Sequence, residues 1–295
     1  MRKAYVFIVL TAFLFGTMEV ACKIAGNGLD PFQLTFIRFA IGGLILLPFA
    51  IRDLRKNHIV LTAKDFVILA FTGLLGVTIS MVLFQIAVVD SNASTVSVLI
   101  CVNPFFTMIF AHMFTDEKMT KIKGLVLFIA IVGILFMMRP WDIQAGNSAF
   151  GMIMMLLSAL FFGAYTVVGK VSVKKMGPFA QTSISFIAGS ILLLVIILFM
   201  GKPVIAGVAD NIPIVLYTGI VVTGIGYFCY FKGIELSDAS TGSIAFFLKP
   251  AIAPVIAVII LGESVMWNTV VGIILILTAS FINMTASKKA ATLRG

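Results

Sequence analysis

Long apolar runs separated by short breaks dominate the hydrophobic pattern of this chain. A bilayer core of about 30 Å requires about 20 apolar residues per helical crossing, because backbone groups left unpaired in hydrocarbon are too costly. Ten runs meet that length: Ala4 to Ala25, Phe32 to Ile51, Phe66 to Val89, Ala93 to Phe114, Ile122 to Met138, Ala149 to Lys170, Phe179 to Met200, Ile212 to Glu235, Ala239 to Leu261 and Met266 to Ala286. The connections are short, and several carry turn or breaker residues: Gly26-Asn27-Gly28, Pro140, Gly177-Pro178 and Gly201-Lys202-Pro203. The pattern predicts an all-α membrane protein with ten transmembrane helices.

Composition removes the soluble alternative that 295 residues would otherwise allow. Hydrophobic residues make up 61% of the chain and charged residues 11%, with a mean hydropathy of +1.15. A soluble chain carries about a quarter charged residues, so no polar coat is left to wrap a globule. The net charge of +9 would suit nucleic acid on a soluble module, but no basic patch exists here to form one. The cations instead report topology. Fourteen Lys and Arg lie in or beside the loops on the side of the termini (Arg2, Lys3, Arg52, Arg55, Lys56, Lys64, Lys118, Lys121, Lys123, Lys174, Lys175, Lys288, Lys289, Arg294). The opposite side has only Arg139 and Lys202, so both termini are expected in the cytoplasm. Met1-Arg2-Lys3 before an apolar run resembles a secretory signal, but no small-residue cleavage site follows, and the run is read as a mature helix. Cys22, Cys101 and Cys229 stand far apart inside apolar runs, without disulfide or metal spacing, and read as small buried hydrophobes.

The chain also repeats itself. At an offset of 147, Phe15-Gly16 meets Phe162-Gly163, Lys23 meets Lys170, Pro31-Phe32 meets Pro178-Phe179, and Gly42 meets Gly189. At 146, Thr72-Gly73 meets Thr218-Gly219, Ser91-Asn92-Ala93-Ser94-Thr95 meets Ser237-Asp238-Ala239-Ser240-Thr241, Ser97 meets Ser243, Pro104 meets Pro250, and Glu117 meets Glu263. Residues 1–147 and 148–295 are thus expected to be two five-helix repeats. Five is odd, so the second copy enters the bilayer from the side opposite to the first, and the repeats are inverted. Inverted repeats give one sequence two packings that differ in which side is open, with a site near the midplane between them.

Several of these residues resemble the EamA-type family of the drug/metabolite transporter superfamily. They are Phe15-Gly16-Thr17 leading to Lys23, Pro31-Phe32 followed by Arg38-Phe39, the two Ser-Asn/Asp-Ala-Ser-Thr segments, Asn103-Pro104, Lys249-Pro250, and Gly262-Glu263. The resemblance covers essentially the whole chain in two copies. It implies a ten-helix, five-plus-five fold around a central cavity and transport of small metabolites, commonly export of amino acids or related compounds. Phe15 stands where the family often has Trp, and Glu19 where an apolar or small polar residue is usual.

A charge at membrane depth costs several kcal/mol unless paired or wet, so intramembrane ionisable residues are candidates by default. Glu19 lies about 7 Å from the centre of the first run, and Arg38 is displaced similarly in the antiparallel second run, so the two can meet. Glu19 is read either as a structural partner of Arg38 or Lys23, or as a cavity residue receiving a proton or a substrate ammonium. Lys249 falls at the middle of the ninth run, where it cannot easily snorkel, and Pro250 frees the Phe246 carbonyl beside it. A role for Lys249 in the cavity competes with a role as counter-ion of Glu19. Asn103, its repeat partner before Pro104, occupies the matching depth in the fourth run. Thr223, Tyr227 and Tyr230 share one helix face, and of the tyrosines Tyr227 lies the deeper; Thr166 is the repeat equivalent of Glu19, with Tyr165 beside it, and for that pair lipid or helix packing weighs equally with a cavity wall. Asn92 and Asp238 are expected to cap the fourth and ninth helices.

The candidate substrate-binding set is therefore Glu19, Arg38, Asn103, Tyr165, Tyr227 and Lys249. An acid, two bases and aromatic surface suit a zwitterion, so the expectation is a secondary transporter in the cell membrane that exports an amino acid or similar metabolite, driven by protons or by the substrate gradient. A cationic cargo at Glu19 is the variant reading. No catalytic residues, metal ligands, cofactor or nucleic-acid partner are expected. A membrane-embedded enzyme would need clustered nucleophiles or metal ligands, and His58 and His112 stand alone. A channel would need a continuous polar stripe, and no GxxxxGK[ST] loop supports nucleotide-driven pumping.

Overall fold

The structure is a computed structural model that describes residues 2–116, 119–138, 146–243, 245–263 and 267–292. Glu117, Lys118, Arg139, Pro140, Met266 and Arg294 lie outside the described residues. No strand occurs among the described residues. The first apolar run is split into α1 (Arg2–Gly16) and α2 (Met18–Gly26), and α3 (Pro31–Lys56) is the second. The third run is α4 (Ala63–Gly73), a π-helical stretch Leu74–Met81, and α5 (Val82–Asp90). Next come α6 (Ala93–Leu99), the 3-10 turn Ile100–Val102 and α7 (Asn103–Phe114), followed by α8 (Lys121–Met138). Helix α9 (Ala149–Phe199) covers the sixth and seventh runs, which fall either side of a non-helical Gly177. The eighth run is α10 (Ile212–Leu216), a second π-helical stretch Tyr217–Ile225, and α11 (Gly226–Glu235). The chain ends with α12 (Ala239–Gly242), α13 (Ala245–Leu261) and α14 (Trp267–Thr292). Six of these segments are long and apolar enough to cross a membrane: Lys3–Gly26, Pro31–Lys56, Ala63–Asp90, Ala93–Phe114, Ala149–Phe199 and Ala209–Glu235, with shorter apolar stretches in α8, α13 and α14.

Local chemistry sets the ends. Asp30 accepts from the Phe32 N–H while Gln33 reaches back to the Asp30 N–H, a reciprocal capping box with Pro31 at the first helical position. Thr62 and Asp65 repeat the device on α4, and Ser148 caps α9 through the Gly151 N–H. At Gly177 φ is +81°, a region that L side chains rarely adopt, and Pro178 cannot donate the next helical bond. Outward faces are apolar: Phe13, Phe128, Leu198 and Phe281 are all more than half exposed. Such a surface is stable against lipid rather than water.

Helix α9 runs through the bundle and packs on α3, α4, α5, α7 and α11, while α8 and α14 pack on each other. Glycines set the closest approaches. A Cβ on Gly73 would lie 2.2 Å from the Ser185 carbonyl and 2.7 Å from the Gly189 nitrogen, and one on Gly42 would lie 3.1 Å from the Gly219 carbonyl. At offsets of 147 and 146, Gly42 corresponds to Gly189 and Gly73 to Gly219. The two contacts are therefore the same contact, made once in each direction between the halves. Cross-half hydrogen bonds sit beside them, from Thr78 Oγ1 to the Gly189 carbonyl (3.0 Å) and from Ser183 Oγ to the Gly43 carbonyl (2.7 Å).

Candidate substrate site

The helix break after Gly16 positions the first candidate. Thr17 donates its hydroxyl to the Leu14 carbonyl at 2.8 Å, a local bond that competes with helical pairing, and its Oγ1 also meets the Tyr217 hydroxyl at 2.8 Å. Gly16 lets α1 press on α13: a Cβ there would lie 2.6 Å from Ile252 Cγ2. This contact is within one turn of both Glu19 and Lys249. Glu19, fully buried, accepts from Lys249 Nζ through Oε1, and both side chains are sealed from solvent. Glu19 Oε2 has no partner.

Arg38 lies beside the pair without joining it. Its Nη1 meets Met18 Sδ at 3.7 Å, and its guanidinium carbon sits 4.6 Å from the Phe39 ring centre and 5.7 Å from that of Phe84. The same Phe84 ring is 5.8 Å from Lys249 Nζ, so one aromatic ring lies near both cations. Lys249 also stands 5.9 Å from Phe15 and 5.7 Å from Phe246. Arg38 Nε and Nη2 have no hydrogen-bond partner, although the residue is fully buried. Glu19 thus takes neither of the partners expected within its own half. Arg38 rests on sulfur and aromatic faces, and Lys23 points away to the Ser91 carbonyl and Glu263.

Tyr227 is one layer out. Its ring lies 4.8 Å from Phe15 and 5.6 Å from Phe39, and its hydroxyl donates to Met81 Sδ at 3.1 Å. Tyr165 is buried with helix neighbours, so it does not face lipid. It is 6.4 Å from the Tyr227 ring, stacked over Gly76, with its hydroxyl unpartnered. Thr166 is likewise buried and bonds the Tyr230 hydroxyl at 2.8 Å, and Tyr230 reaches Ser243 at 3.4 Å. Asn103 is occupied within the fold, donating to the Ala159 carbonyl at 3.2 Å and accepting from Thr107 at 3.4 Å. The Phe246 carbonyl beside Pro250 accepts from Cys101 Sγ at 2.8 Å.

At one end of the bundle, the start of α6 is tied to the residues that follow α13. Asn92 stands at the N-cap of α6 but its side chain makes no capping bond, which corrects the expected role. The free N–H groups of Ala93 and Ser94 are taken instead by the Glu263 carboxylate, at 2.8 and 3.0 Å, and Ser94 Oγ donates to it at 2.7 Å. A carboxylate at a helix N-terminus satisfies orphan donors and the helix dipole together. Lys23, 3.8 Å from Glu263, completes the contact. Asp238 does cap α12, accepting from the Thr241 N–H at 2.8 Å. The repeat match of Glu117 with Glu263 and the Gly262-Glu263 motif marked Glu263 in the sequence, without showing what it meets. Phe84, Met18 and Phe246 gave no signal, since each is an ordinary apolar residue within a run.

The helices, the lipid-facing surface and a sealed ionic cluster define a multi-pass protein of the cell membrane. Comparison with known proteins gives the family: the chain belongs to the EamA-like transporter family, whose model matches residues 2–139 and again 149–285. It is 37% identical to an uncharacterized transporter of Clostridium kluyveri, over all of this chain and 97% of that one. It is 26% identical to the uncharacterized transporter YoaV of Bacillus subtilis, over 96% of this chain and 97% of the other. The pseudopaline exporter CntI of Pseudomonas aeruginosa is 22% identical over 59% of each chain. A solved crystal structure with 15% identity superposes at a TM-score of 0.74 over 98% of this chain and 99% of its own, a likeness of fold.

Proposed function

We propose that this chain is a secondary active transporter that exports a small metabolite, an amino acid or similar zwitterion, by alternating access between two inverted five-helix repeats. In this reading ten helices cross the bilayer, both termini are cytoplasmic, and the Glu263 contact closes the outer mouth. The observation that carries it is the sealed cluster of Glu19, Lys249 and Arg38, where polar atoms of Glu19 and Arg38 lack partners at the contact of the two halves. An acid whose partner is a flexible lysine can exchange that partner for a substrate ammonium, and an arginine without an anion can take a carboxylate. Tyr227 and Tyr165 line the aromatic wall, and Asn103 acts through the helix it holds.

Two further observations support the reading. The reciprocal glycine contacts are what an approximate two-fold axis between the halves produces, and the relatives are named as transporters, one as an exporter. Helix interruptions at Thr17 and at Ile100–Val102, and the two π-helical stretches, put irregular backbone where such folds bend. A cationic cargo at Glu19 is less favoured, because it would add a third positive charge beside Arg38 and Lys249.

The test is metabolite profiling of cells with and without overexpression, followed by efflux of the leading compounds from proteoliposomes holding the full chain. Export of at least one amino-acid-like compound by the intact protein, and its loss in Lys249→Met and Glu19→Gln, is expected. Unchanged efflux in both variants would remove the cluster from the mechanism. For topology, an impermeant label that reached 52–64 and 201–211 from the same compartment would rule out inverted halves.

A further inference from the structure

The central cluster is one negative charge short. Glu19 carries −1, and Lys249 and Arg38 carry +1 each, so the three sum to +1. That sum holds wherever the proton shared by Glu19 and Lys249 resides. The other buried charges among the described residues, Asp65 and Lys170, lie toward the Gly177 end of the bundle, and Asp65 is held there by Lys175 at 2.7 Å. Glu19, the buried carboxylate beside Arg38, is already taken by Lys249, and aromatic faces are weak substitutes for a second anion.

The unpartnered atoms show what fits. Nε–H and one N–H of Nη2 point the same way from the edge of a guanidinium, forming the fork that takes two oxygens of one anion side by side. In Arg38 these two nitrogens are the free ones, while Nη1 is turned to Met18. Glu19 Oε2, also free, is an acceptor that needs a donor. A phosphate monoester carries about −1.5 to −2 at pH 7, more than is missing. A zwitterion carries none in excess and would leave the +1 unbalanced at a depth where an uncompensated charge is costly. The walls, Phe15, Phe39, Phe84, Phe246 and Tyr227, suit an apolar or aromatic body.

We infer that the cargo is a small carboxylate of net charge −1, bound through its carboxylate to the Arg38 fork and through an N–H or O–H donor to Glu19 Oε2. This rests on the transporter reading but changes the charge of the cargo: in place of a neutral zwitterion, the amino-acid-like compound carries one more negative charge than positive, as an acidic or N-acylated amino acid does.

Three compounds with one body test the charge. N-acetylphenylalanine (−1), phenylalanine (0) and phenylalanine methyl ester (+1) are compared by thermal shift and titration of the purified full chain, then by efflux from proteoliposomes. The anion is expected to bind at least tenfold more tightly than phenylalanine, and the ester more weakly than either. Arg38→Lys keeps the charge and loses the fork, so it should weaken the anion at least tenfold without changing the order. Arg38→Gln removes the excess charge and should invert the order of anion and zwitterion. Preference of the wild type for phenylalanine overturns the inference while leaving the transporter reading intact, and needs no variant. Retained anion preference in folded Arg38→Gln also overturns it. If none of the three binds, the inference fails, and the transporter reading is decided separately by the metabolite efflux assay.

Discussion

The two stretches matched by the family model differ most where they are most alike in register. Glu19 in the first corresponds to Thr166 in the second, Arg38 to Ser185, and Lys249 in the second to Asn103 in the first. Thr166 and Asn103 have ordinary hydrogen-bond partners, and Ser185 returns its hydroxyl to the Gln181 carbonyl at 2.6 Å. The charged positions bond across the halves or stay partly free. The glycine contacts, by contrast, are kept in both directions. Duplication has preserved the backbone approach twice and the charge chemistry once. Helix spacing depends on atoms that any small residue supplies, whereas a second buried charge set would cost several kcal/mol more.

The largest effect in this comparison should come from the charged member. Glu19→Gln leaves Lys249 buried without its partner and is expected to lower stability by about 3–5 kcal/mol, read by thermal unfolding in detergent. The double variant Glu19→Gln with Lys249→Met should recover much of that loss; no recovery would mean that the pair is not coupled. Next comes the shared scaffold. Gly73→Ala places a Cβ against backbone atoms that cannot move aside, at a cost of about 1–3 kcal/mol, whereas Gly124→Ala, which faces open space, should be silent in the same assay. Glu263→Gln removes the charge that caps α6 and should cost about 1 kcal/mol. It should also raise the labelling of Ser94→Cys by an impermeant maleimide if this contact closes a mouth. Smallest is Thr166→Val, the neutral counterpart of the Glu19 test. Loss of its bond to Tyr230 should cost about 0.6 kcal/mol, because Tyr230 keeps Ser243.

Much of the architecture was open to reading from one dimension. Run length located the helices, Asp238 marks a start that the backbone uses, and Gly177-Pro178 separates two runs at a positive φ. Continuity was not open to reading. The first run breaks at Thr17, and π-helical turns interrupt the third and eighth, since a hydroxyl bonding back to a carbonyl or a close glycine contact overrides uniform apolarity. Depth along the helix brought out Glu19, Arg38 and Lys249 as candidates, and left Glu19 open to Arg38, Lys23 or Lys249 as its partner. Packing chose among the three, and the partner is Lys249, 230 residues away on α13.

Length of run, count of charge and internal repetition are properties of the chain in order, and they alone determined that this is a helical membrane protein built from two similar stretches, with ionisable groups at depth. Which of those groups meet was decided by packing: Gly16 against Ile252 brings α2 to α13, and Glu263 reaches the open N-terminus of α6. A side chain at bilayer depth takes whichever partner the neighbouring helix presents, and that choice depends on crossing geometry and rotation, which no spacing along the chain records.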